Sequence, residues 1–156
     1  MTRTPPGFLS TAVLAGLVAG ALDITAAVVL NLRVTAQVVF QSVASGWIGA
    51  EAYRGGWPTA WLGLASHFGI MLGIAGIYVL LAMMQPSLRR NWPVAAVGWG
   101  GLVWVVMTWV VVPLSAAPLP QPDMAGAIKG LLTHVIAVGL PMAAITRWRL
   151  GSGRGA

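Results

Sequence analysis

A chain of 156 residues that is 58% hydrophobic, only 8% charged and free of cysteine prefers hydrocarbon to water on average, which is the composition of a membrane protein. The missing cysteine excludes a disulfide, a thiolate metal centre, an iron–sulfur cluster and a thioether-attached haem, so any metal falls to His, carboxylate or backbone. A formal charge of +6 on so apolar a chain points to the cytoplasmic rim of a bilayer. Without a basic run interleaved with aromatics it does not point to nucleic acid.

A hydrocarbon core of about 30 Å needs about 20 apolar residues per helix. Four segments meet that length: 8–32, 58–84, 92–114 and 124–145. The predicted fold is therefore all-α, a polytopic membrane protein with four transmembrane helices in one domain over 1–156. The first segment follows Arg3 and contains small residues, as a signal peptide does. Its apolar run is longer than such a leader needs, and Asp23 has no place in one, so it reads as a span.

Residues 34–48 come next, with Gln37, Gln41 and Ser45 recurring every four positions and Val34, Val38, Val39, Val43 and Trp47 filling the other side. That pattern predicts an amphipathic helix lying on the outer surface or capping the bundle. The pairs Trp57-Pro58 and Trp92-Pro93 place proline in a first helical turn beside an interfacial aromatic, so the second and third spans start there. The segment "PLSAAPLPQPD", 113–123, has four prolines and predicts a stiff, extended connection to the fourth span.

Arg3, Arg89, Arg90, Arg147, Arg149 and Arg154 fall on one side of this topology, against Arg33, Arg54 and Lys129 on the other. The excess predicts cytoplasmic termini.

The second and fourth spans carry the only two histidines, in "GLASH" (63–67) and "GLLTH" (130–134). The first and third spans add "GLVAGALDIT" and "GLVWVVMTWV", which set Asp23 opposite Thr108. These frames predict an internal repeat: two hairpins related by a pseudo-two-fold axis, with the second and fourth spans facing each other. Helix rise then puts Asp23, His67 and His134 all about 14 Å below the outer rim. Each shares a stripe with glycine, Gly16 and Gly20 for Asp23, Gly63 for His67, Gly126 and Gly130 for His134.

An ionisable group at that depth faces the bundle interior and has a partner. Three readings follow. In the first, Asp23, His67 and His134 bind or relay a proton, ion or small solute, with Thr108 and Tyr78 extending the polar line. In the second, two His and one carboxylate hold a divalent metal, or the two His hold haem b axially, in a membrane redox protein. In the third, the cluster only pins helix packing, with Ser66 and Thr133 bonded back to their own helices. Catalysis is not expected: Glu51 and Tyr53 lie in the outer loop, but no nucleophile–base spacing accompanies them. The first reading is preferred. The expected partners are the lipid bilayer and a small ion or solute, and four short helices that enclose little space leave a homodimer open.

At "ASGWIGAEAYRGGWPTAWLGLASHFGIMLGIAGIYVLL", "VVPLSAAPLP" and "GLLTHVIAVGLPMAAITRWR" the sequence resembles small four-helix bacterial inner-membrane proteins without assigned activity. More distantly, it is similar to the YagU-type membrane proteins. The shared features are His67 and Tyr78 in one apolar helix, Pro113-Leu114 closing the next, and His134 with Arg147 at the exit of the last. The resemblance implies a four-helix fold in a bacterial inner membrane, and no reaction.

Overall fold

The structure is a computed structural model that describes residues 7–151, so the charges of Arg3 and Arg154 lie outside the described residues. Its helices are α1 (Phe8–Val29), α2 (Ala36–Ile48), a 3₁₀ turn (Gly49–Arg54), α3 (Gly56–Met84), α4 (Pro86–Arg90), α5 (Trp92–Leu114) and α6 (Met124–Leu150). No strand occurs among the described residues. Helices α1, α3, α5 and α6 are each long and apolar enough to cross a membrane, which makes this a helical membrane bundle.

Local chemistry sets the helix ends. The α1 helix stops at Val29, short of the expected Leu32, where the Asn31 amide donates to the Ala27 carbonyl at 2.7 Å and Leu30 N–H closes on Ala26. The Thr35 hydroxyl accepts from Val38 N–H and starts α2, and the Asp123 carboxylate accepts from Gly126 N–H at 2.8 Å and starts α6. At its far end α6 continues past Ile145 through Arg147 and Arg149, whose long stems carry the charge beyond the apolar stretch. Gly151, at φ +75°, then breaks it.

Two of the spans change pitch in mid-course. Residues Met107–Val111 of α5 and His134–Gly139 of α6 are π-helical. Each lies just before an internal proline, Pro113 and Pro141, which has no N–H to give and whose ring crowds the carbonyl four residues back. Widening the preceding turn relieves both problems.

The spans pack in the order α3, α1, α6, α5. On α1, Gly16 and Gly20 lie against Leu72 and Phe68 of α3, so close that a methyl group at Gly16 would stand 3.0 Å from the Leu72 Cα. On α6, Gly139 abuts the Ala96 carbonyl of α5, while Gly100 of α5 abuts Val135 and the His134 carbonyl. Small residues thus bring both helix pairs to backbone contact. The second and fourth spans do not face each other as expected: α6 packs on α1 and α5 and reaches α3 only through Leu140–Leu150. The α1 helix takes the place between them because Gly16 and Gly20 let α3 close onto it.

The polar stripe of α2 points inward. Gln41 and Ser45 are buried together with Val39 and Ala44, while Gln37 is half-buried and Trp47 and Ile48 are exposed, and the helix packs along the first turns of α3. Gly63 admits it, because any side chain there would strike the Phe40 carbonyl. Beyond α5, residues 115–123 are non-helical, and Ala116 N–H donates to the Gly46 carbonyl at the end of α2.

Candidate functional site

His67 is 8% exposed, within the contact between α3 and α1. Its Nε2 lies 2.9 Å from the Gly20 carbonyl, and since a carbonyl only accepts, Nε2 carries the proton. The contact exists because Gly20 has no side chain to hold α3 away, and Phe68 closes over it, edge-on to the imidazole at 5.5 Å between centroids. In the neutral ring Nδ1 is then a free acceptor, with no hydrogen-bond partner among the described residues.

His134 is placed differently. It is half-buried at the first position of the π segment, and its Nδ1 donates back to the Gly130 carbonyl of its own helix at 2.9 Å. The free nitrogen of its neutral form is Nε2. The two rings therefore present opposite tautomers, each fixed by a main-chain carbonyl.

Asp23 is half-buried in α1, three residues beyond Gly20 and so on the same helix face, about 4.5 Å further along the axis. Among the described residues no hydrogen bond or ion pair reaches its carboxyl group. The other two acids are occupied: Glu51 pairs with Arg54 at 3.2 Å on the surface, and Asp123 caps α6.

Of the remaining predicted site residues, the Ser66 hydroxyl donates to the Leu62 carbonyl at 2.7 Å and accepts from the Trp47 indole at 3.0 Å. The Thr133 hydroxyl donates to the Lys129 carbonyl at 2.8 Å and borders a cavity of about 300 Å³ between α1 and α6, which Ala26 and Lys129 also line. Thr108 lies in the π segment of α5 and borders a smaller cavity near Gln121. Tyr78 is eleven residues past His67, three turns toward the opposite membrane face, stacked at a tilt on Trp99 with 5.3 Å between centroids. It belongs to another part of the molecule.

Among the described residues no three His, Asp or Glu side chains come together to hold a metal ion. Helix α1 packs against both α3, which carries His67, and the His134–Gly139 stretch of α6.

Sequence reasoning missed the polar cluster under α2. The Gln41 amide donates to the Gly56 carbonyl at 2.9 Å and to the Thr59 hydroxyl at 3.2 Å, and that hydroxyl donates to the Ala52 carbonyl at 2.6 Å. The cluster joins α2, the 3₁₀ turn and the start of α3, and fixes α2 over the N-terminal end of His67's helix. The four-residue recurrence of Gln41 and Ser45 was its signal. Comparison with protein-family models, curated proteins and solved structures gives no match, so the fold and site stand on the chain's own residues.

Proposed function

We propose that this chain is an integral protein of the bacterial inner membrane, with both termini cytoplasmic, that binds or translocates a proton, ion or small solute at Asp23 beside His67. The observation that carries this reading is the half-buried Asp23 carboxyl, inside a span and without a partner among the described residues. A lone carboxylate at that depth costs roughly 3 kcal/mol, a cost relieved by taking up a proton or a cationic ligand. The unpaired Nδ1 of His67, whose ring is held by Gly20 one turn before Asp23, supports this reading as a second acceptor for the same proton. Ala26, one turn nearer the outer end of α1, lines the cavity bordered by Thr133 and Lys129, which supplies an approach toward Asp23.

The orientation rests on Arg89, Arg90, Arg147 and Arg149 at one end. The paired histidine frames and the two glycine-mediated crossings support an origin of the two hairpins in one repeated unit. Kinship with the small four-helix inner-membrane proteins and the YagU-type proteins belongs to the same proposal and rests on the shared motifs.

Asp23→Asn tests the reading in proteoliposomes under a pH gradient with a membrane potential. Proton flux in the wild type that is lost in the variant, at equal melting temperature, is the expected result. Equal flux in both sinks it. The purely structural reading is favoured for the histidines by their bonds to carbonyls. If it holds for the whole cluster, His67→Ala lowers the melting temperature, and Asp23→Asn changes neither melting nor flux.

A further inference from the structure

The bundle is open between α3 and α5. These spans make no extensive backbone contact; they are joined by α4 and bridged by the Tyr78–Trp99 ring pair. The gap is a cavity of about 470 Å³, within the size range of small-molecule sites, roughly 300–1,000 Å³. Its wall is apolar along Leu81, Leu88, Val94 and Leu102, and its polar residues, Ser87 and Asn91, come from α4 and its end.

The charge around that end has one sign. Arg89 and Arg90 lie in α4 between Ser87 and Asn91, and Arg147 and Arg149 finish α6 beside them: Arg89 Nη1 donates to the Leu150 carbonyl at 2.9 Å and Arg147 Nη1 to the Arg90 carbonyl at 3.4 Å. Main-chain carbonyls and the Ser10 hydroxyl take some of these donors, but no carboxylate faces any of them among the described residues. The Nε atoms of Arg89 and Arg149 are buried without a partner. Of the three acids, Glu51 pairs with Arg54, Asp123 caps α6, and Asp23 lies within α1.

We infer that this groove holds an anionic phospholipid, one acyl chain along the Tyr78–Trp99 wall and the phosphate at Ser87, Asn91 and the two arginines between them on α4. An apolar slot between spans meets the hydrocarbon of the bilayer, and Arg89 and Arg90, on α4 between the lining residues Ser87 and Asn91 and without a carboxylate partner among the described residues, select a negative headgroup over a zwitterionic one.

The test uses the full chain, delipidated in an uncharged maltoside and examined by native mass spectrometry with added phosphatidylglycerol or phosphatidylcholine of matched chains. Phosphatidylglycerol is expected to bind tighter. Arg90→Gln, at a side chain with no hydrogen bond among the described residues, should weaken it about fivefold and leave phosphatidylcholine unchanged. Gly98→Leu projects into the groove from α5, where an added side chain meets open space, so it should fold normally and weaken both lipids. Equal binding of the two lipids by the wild type, or full phosphatidylglycerol binding by Gly98→Leu, overturns the inference. A lipid-free dimer that Gly98→Leu dissociates overturns it too, because a second copy then fills the groove.

Discussion

His67 and His134 occupy nearly the same pentapeptide, yet one crosses to a neighbouring helix and the other folds back on its own. What separates them is the residue opposite. His67 meets Gly20, where the absence of a side chain exposes a carbonyl of α1 to the imidazole. His134 opens a π segment forced by Pro141, and the nearest carbonyl is Gly130, four residues back. The same motif thus yields an interhelical pin in one half and an intrahelical bond in the other.

The glycines four residues before each histidine should separate the two halves most. At Gly63 a methyl group would overlap the Phe40 carbonyl, and backbone cannot move aside without lifting α2 off α3. Gly63→Ala should therefore destabilise by roughly 3 kcal/mol, read as a large drop in melting temperature in detergent. At Gly130 the same methyl meets the indole Nε1 of half-buried Trp104 at 2.6 Å, a side chain rather than backbone, so relief needs a shift of one ring and not of a helix. The better helix propensity of alanine returns about 1 kcal/mol, so Gly130→Ala should change melting little. Equal losses from the two substitutions would mean that α2 does not sit on α3 as described.

The histidines themselves give the second contrast. His67→Ala removes a buried ring and an interhelical hydrogen bond and should cost about 2–3 kcal/mol. His134→Ala removes a half-buried ring bonded to its own helix, and should cost about 1 kcal/mol or less. Thermal melting of the two variants in the same detergent checks the order, and a reversal would show that His134, not His67, makes the stronger contribution to helix packing.

How far the sequence could have anticipated this differs by element. The four spans were legible, because length and hydropathy are properties of the segment alone. The inward turn of α2 was not: a four-residue recurrence of Gln41 and Ser45 identifies a face but not what covers it, and the partner, Thr59 with the Gly56 carbonyl, lies in the next helix. The partner of His67 was illegible for a related reason, since a carbonyl belongs to every residue and leaves no mark in composition. Pro113 and Pro141 were visible, and their π segments follow from the missing N–H. The placement of α1 between α3 and α6 was not readable, because it depends on which glycine faces pack together.

The smallest predicted effect concerns the hydroxyls that precede the two histidines. Both donate to a carbonyl four residues back, so that bond cancels between them. Only Ser66 has a second partner, the Trp47 indole of α2, which would lose its acceptor in an apolar setting. Ser66→Ala should therefore cost about 1 kcal/mol and Thr133→Ala less than about half that. The cycle of Ser66→Ala with Trp47→Phe isolates the interaction: if the double variant is no less stable than either single one, the energy resides in that bond. Full additivity would place it in the intrahelical bond instead, and the asymmetry between the two halves would then rest on Gly63 and Gly20 alone.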